Sequence, residues 1–160
     1  MPLYEVIELI TAKKNCFLDY EALTQKLLDC SVEEIEALVA GRAELIAKVD
    51  ALNEKIAQLC DQTDNSPMLR EAIKNSCAYG ELGSGLRAVF THSQEVYGVI
   101  NRIQNIDPLA TSRMESLKRE MLENIAVANT NKDANLQRYL SNTAMKDQSF
   151  SVFGDKYAKV

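Results

Sequence analysis

Leu3, Val6, Ile10, Phe17, Tyr20, Leu23 and Leu27 recur at spacings of three, four or seven, with polar residues between them. That period builds one apolar stripe on a helix, and it predicts a first helix over residues 3–29. Pro2 suits a first helical turn, where its missing N–H is not needed. Asp29-Cys30-Ser31 breaks the pattern, and Ser31 with Glu34 has the spacing of a capping box that opens a second helix over 32–60. There, Ile35, Leu38, Arg42, Leu45, Val49, Leu52, Ile56 and Leu59 alternate steps of three and four. This is a heptad a/d register, interrupted only by Arg42 at one a position. Two long helices joined by a short connector fold back as an antiparallel hairpin. Gly41, beside Arg42, marks a slight kink.

Asp61 to Asn65 is polar, and Ser66-Pro67 reads as an N-cap followed by proline at the first helical position. Met68, Leu69, Ile73 and Cys77 support a short helix over 67–78, which Gly80, Gly83 and Gly85 end. Those glycines follow no strand and contain neither G-K-[ST] nor G-x-G-x-x-G, so they read as a loop rather than a phosphate cradle. Leu86, Val89, Phe90, Val96, Tyr97, Ile100 and Ile103 predict a third long helix over 85–106. Asp107-Pro108 repeats the start signal, an Asx cap before a first-turn proline, and the chain either breaks there or continues with a bend, because the residue before proline disfavours the helical region. A further helix over 108–145 carries Met114, Leu117, Met121, Ile125 and Ala128. Its pattern thins to Leu136, Tyr139 and Leu140 amid Asn and Lys. Residues 146–160 have no helical period and read as a loosely ordered tail carrying Phe150, Phe153 and Tyr157. The expectation is all-α: an elongated antiparallel hairpin or bundle of three to four long helices over 1–145, with a flexible 146–160 tail.

Composition supports this. With 6 Gly and 3 Pro in 160 residues, the chain lacks the turn chemistry of a sandwich or barrel. The net charge of −5 is uneven: residues 1–85 carry 8 basic against 15 acidic side chains and residues 86–160 carry 10 against 8. An acidic first half argues against nucleic-acid binding, which needs a clustered basic face. The adjacent Lys118-Arg119 reads as a solvated stretch of helix. No apolar run approaches the ~20 residues of a spanning helix, and no basic leader precedes an apolar core, so the expectation is a cytoplasmic protein not inserted in the membrane. Cys16, Cys30, Cys60 and Cys77 form no C-x-x-C pair and read as reduced thiols. The single His92 has no partner at catalytic or metal-ligand spacing, and neither G-x-S-x-G nor H-E-x-x-H occurs. The chain is expected to be no enzyme and to hold neither cofactor nor metal.

Residues 34–52, Glu-Ile-Glu-Ala-Leu-Val-Ala-Gly-Arg-Ala-Glu-Leu-Ile-Ala-Lys-Val-Asp-Ala-Leu, following a Leu-rich acidic helix, resemble the second hairpin arm of the FlgN-type flagellar export chaperone family. The Asn-rich stretch from Asn124 to Asn135, running into Leu136-Gln137-Arg138-Tyr139-Leu140, is similar to that family's later helix, and Phe150-Ser151-Val152-Phe153-Gly154 to its aromatic tail. The resemblance implies a cytosolic chaperone that binds amphipathic C-terminal helices of hook–filament junction proteins and delivers them to the cytosolic domain of the export gate. On it, Met121, Ile125, Leu136, Tyr139 and Leu140 would carry the cargo surface. Tyr139, or less directly Tyr157, would dock the gate, and Phe150, Phe153 and Tyr157 would make tail contacts. The alternative is a self-associating coiled-coil scaffold or adaptor, in which the 35–59 heptads pair between chains as a homodimer.

Overall fold

The computed structural model describes residues 2–130, which form four α-helices and one 3₁₀ turn and contain no strand. Helix α1 (Pro2–Lys26) and helix α2 (Val32–Asp61) make the expected hairpin. Helix α3 (Ser66–Lys74) and a 3₁₀ turn (Tyr79–Glu81) lead into helix α4 (Ser84–Thr130). Helix α4 runs parallel to α1: Lys14 meets Glu95 and Glu21 meets Arg102. The long helices α1, α2 and α4 thus form an all-α bundle, with α3 packed on the first part of α4.

Each helix buries the stripe its sequence marks. At the end holding the N-terminus of α1, Val6 and Ile10 pack with Ile56 and Cys60, with Leu69 and Ala72 of α3, and with Val89 and Val96 of α4. At the hairpin turn, Leu27, Cys30, Ile35 and Val39 close around Ala110. Between these clusters, Tyr20 packs with Val99 and Ile103, and Leu45 leans on them. The a positions of α2 are buried and its d positions half-buried within this one chain. The seam of α2 is therefore turned to α1 and α4.

Local details differ from expectation. Helix α1 stops at Lys26, and Leu27 to Cys30 tighten into a turn through Leu28 N–H to Gln25 and Cys30 N–H to Lys26 carbonyls. Ser31 Oγ donates to Glu34 Oε1 at 2.9 Å, so the pair satisfies itself rather than the helix amides. Asn65, not Ser66, is the N-cap of α3; Ser66 Oγ accepts from Arg70 Nε. Helix α3 ends at Lys74, short of 78, because Asn75 takes the left-handed conformation (φ 55°) and ties its side-chain amide to the carbonyls of Ala72 and Phe90. Gly41 lies inside the unbroken helix α2. It allows α1 close in: a Cβ there would stand 3.0 Å from Leu23 Cδ1.

Two larger corrections follow from one contact. Of the two courses open at Pro108 the chain takes the continuous one, so that the segments delimited as 85–106 and 108 onward are a single helix with Pro108 inside it, 47 residues and about 70 Å long. An internal proline removes a hydrogen bond and costs a helix roughly 3 kcal/mol. Tertiary contacts on either side of it offset that loss. Ala110 is fully buried against the hairpin turn, and Asp107 is gripped by Arg42 of α2 at 2.8 Å. Arg42 itself, read as an interruption of the heptad, is only 2% exposed and is the largest fully buried side chain. Its Nη2 donates to Tyr20 Oη at 2.5 Å and to Asp107 Oδ1, and its guanidinium lies 4.5 Å from the Tyr20 ring centre. One cation thereby joins α1, α2 and α4.

Removing Asp107 leaves the fully buried Arg42 cation without its counter-charge, whereas replacing Arg42 by a hydrophobe of similar volume leaves only the partly hydrated Asp107 carboxylate unpaired. Asp107→Ala is expected to lower unfolding free energy by about 2 kcal/mol, since Asp107 keeps some contact with water, and Arg42→Met by roughly half that or less. Urea denaturation at neutral pH measures both. A larger loss for Arg42→Met than for Asp107→Ala would contradict this account of the triad.

Candidate docking surface

The α1–α2 hairpin ends where Arg113 of α4 closes its turn. Arg113 Nη1 donates to the Leu27 carbonyl at 2.9 Å and Nη2 to the Cys30 carbonyl at 2.6 Å, taking up acceptors left open by the end of α1. Helix α4 does not end there. It continues to Thr130, about 25 Å past Arg113.

The apolar phase of α4 continues as well. At about 100° per residue, Val99, Ile103, Ala110, Met114, Leu117, Met121, Ile125 and Ala128 fall within an arc of about 80°. The first three are buried in the bundle. Met114 and Leu117 pack on the hairpin-turn cluster, and that cluster takes in no residue of α4 beyond them. Met121 and Ile125 are half-buried, while Leu122 and Val127 beside the stripe are 39% and 58% exposed. A stripe built to face helices thus outruns the two helices it faces.

The stripe has charged edges. Toward α1, Glu95, Arg102, Arg113 and Glu120 share one line within about 20° around α4. Glu95 accepts from Lys14 Nζ at 3.0 Å, and this ammonium holds the Glu95 carboxyl below its usual range. Arg102 grips Glu21 in bidentate fashion at 2.8 and 3.1 Å, which raises the Arg102 pKa further. Toward α2, Asp107 and Lys118 share a line in the same way. Asp107 is taken by Arg42, whereas among the described residues Lys118 and Glu120 have no ion-pair partner.

Of the residues expected to bind cargo, Met121 and Ile125 lie on this stripe, one turn apart. Leu136, Tyr139, Leu140, Phe150, Phe153 and Tyr157 lie outside the described residues, as does the boundary expected at 145. Sequence reasoning missed Lys118 and Glu120, because it ended the preceding helix at Pro108 and so lost the phase that links them to Asp107 and Arg102. Carrying the wheel through the proline would have found them.

Hollows lie elsewhere among the described residues. A shallow groove of about 350 Å³ between α1 and α2 has Leu9 and Leu59 on its floor and Glu5, Glu8 and Lys55 at its rim. A smaller cavity of about 40 Å³ is lined by Ile10, Lys13, Asn53, Ile56, Ser93 and Tyr97, among others. Ser93 is buried, and its Oγ has no hydrogen-bond partner among the described residues. Burial pushes the Lys13 pKa down. The groove between α1 and α2 has no serine, cysteine or histidine in its lining, the small cavity has Lys13 and Ser93 in its wall, and His92 is half-buried on α4. Among the described residues no group of three His, Cys, Asp or Glu side chains is placed to hold a metal, and no helix is long and apolar enough to cross a membrane. Cys16, Cys30, Cys60 and Cys77 are free thiols, and burial pushes the Cys60 thiol up.

No family model, no curated protein and no solved structure matches this chain.

The depressed Lys13 pKa has a sign. The unfolded chain holds the Lys13 proton to a higher pH than the folded one, so stability rises with pH between the folded and unfolded values. Lys13→Met is expected to raise the melting temperature at pH 7. The gain should shrink as the pH is taken up through the alkaline range, read by circular dichroism melts of both proteins. A gain that stays constant with pH would show that Lys13 is not strained by burial.

Proposed function

We propose that this chain is a cytosolic export chaperone of the flagellar type, binding the amphipathic C-terminal helix of a hook–filament junction protein and handing it to the export gate. The observation that carries the reading is the apolar stripe of α4 running on through Met121, Ile125 and Ala128 past the end of the hairpin. A helix in that position needs a partner of its own period, and helix-in-groove pairing is the economical way to supply one. Methionines at Met114 and Met121 suit the task, since flexible thioethers adapt to different apolar knobs.

In this reading the cargo surface continues from Met121 and Ile125 into Leu136, Tyr139 and Leu140. Tyr139 is the gate-docking residue, and Phe150, Phe153 and Tyr157 add contacts. Such an escort acts by binding, with no catalytic step and no cofactor. The self-associating scaffold draws no support from α2, whose heptad positions face α1 and α4 of the same chain.

The test is titration calorimetry of the full chain with a peptide spanning the C-terminal helix of a hook–filament junction protein. Met121→Asp with Ile125→Asp is expected to weaken binding about tenfold or more, since central apolar anchors dominate such interfaces. The thermal melt should shift by little, because both side chains are only half-buried and lie past the cluster at the hairpin turn. Equal affinity of the variant, or no binding by the parent chain, would overturn the proposal.

A further inference from the structure

Resting on the docking reading above, the geometry points to a partner helix of definite charge pattern: acidic along one flank of its apolar stripe and basic along the other. Within the bundle, α4 meets each neighbour with charge as well as apolar surface. Toward α1, Glu95 and Arg102 are each matched by the opposite sign, Lys14 and Glu21. Toward α2, Asp107 is matched by Arg42. Past the hairpin these two edges continue with one charge each, Glu120 on the α1 side and Lys118 on the α2 side. No described residue forms an ion pair with either.

A helix seated over Leu117, Met121, Ile125 and Ala128 lies between those two charges. It replaces two neighbours by one, so its left and right flanks each meet a different sign. A helix basic on both flanks is repelled by Lys118, and one acidic on both flanks by Glu120. Only a helix of opposite flanks is attracted at both. Turning it end for end exchanges its flanks, so the charges also choose whether it lies parallel or antiparallel to α4. Charge here selects among helices that are equally apolar, which is how rim charges act in helical pairings generally. Neither a polyanion nor a uniformly charged surface meets this pattern.

Three designed helical peptides with the same leucine a and d positions probe this on the full chain. One has lysine on both flanks, one glutamate on both, and one lysine on one flank with glutamate on the other. Fluorescence anisotropy at low salt is expected to give the mixed peptide a Kd about threefold to tenfold below either uniform peptide, the scale of two exposed ion pairs. Glu120→Lys should move the preference to the glutamate peptide, and Lys118→Glu to the lysine peptide. High salt should level all of these differences. Equal binding of the three peptides, or preferences that neither substitution moves, would overturn the charge assignment while leaving a docking surface in place. Binding of none would remove the docking reading and this inference together. Sedimentation velocity in the same buffer identifies the remaining occupant: a dimer that the mixed peptide dissociates would give the face to a second copy and overturn the inference.

Discussion

Taking the Arg42 guanidinium out of water costs several kcal/mol, and the bundle must return most of that through specific partners. It does so with one group from each neighbouring helix, the Tyr20 hydroxyl and ring from α1 and the Asp107 carboxylate from α4. Apolar side chains alone would let three such helices slide by a turn with little loss, since Val, Ile and Leu stripes are much alike. A buried cation would not: a shift of one turn parts it from both partners. Two of its nitrogens, Nε and Nη1, have no hydrogen bond among the described residues, so the arrangement has little surplus to lose. Everything along α4 is phased from this point. The ion pairs at Glu95 and Arg102 lie upstream of it, and Arg113 at the hairpin turn, Lys118 and Glu120 lie downstream.

The same contact explains where the sequence could be read and where it misled. Stripes with a simple period were legible: those of α1 and α2 gave the hairpin, and Gly80 to Gly85 gave a break before α4. Local signals built from one or two residues were not. Asp107-Pro108 carries the composition of a helix start, and in isolation it would favour one. Asp107 instead serves as the counter-charge of Arg42, and that bond with the burial of Ala110 holds the residue before proline in the helix. Arg42, in turn, interrupts the heptad only if heptads are taken to be apolar throughout. Both misreadings concern the two ends of a single ion pair 65 residues apart in the chain, and no local window contains both.

For the candidate surface the division is similar. Met121 and Ile125 could be picked out because hydrophobic phase is a local property of α4. Lys118 and Glu120 could not, because their meaning depends on which neighbour each edge of α4 has already met. Glu120 is an ordinary exposed glutamate until Glu95 and Arg102, on the same line, are seen to pair with α1.

That α4 remains one helix through Pro108 decides what its far end can present. Had the chain broken there, the segment after the proline could pivot, and Met121 and Ile125 could turn back onto the hairpin to bury themselves. A continuous helix forbids that rotation: Asp107, Ala110 and Arg113 are fixed to α2 and to the hairpin turn, so the residues after them are carried out along the same axis with their phase already set. In the proposed docking, rigid continuation would lower the entropy that a partner helix must overcome, since one side of the interface would already be ordered. The buried cation near the middle of the bundle thus does two things. It fixes the register of the three helices, and through Asp107 it aims a preformed apolar stripe, with one charge at each edge, past the end of the α1–α2 hairpin.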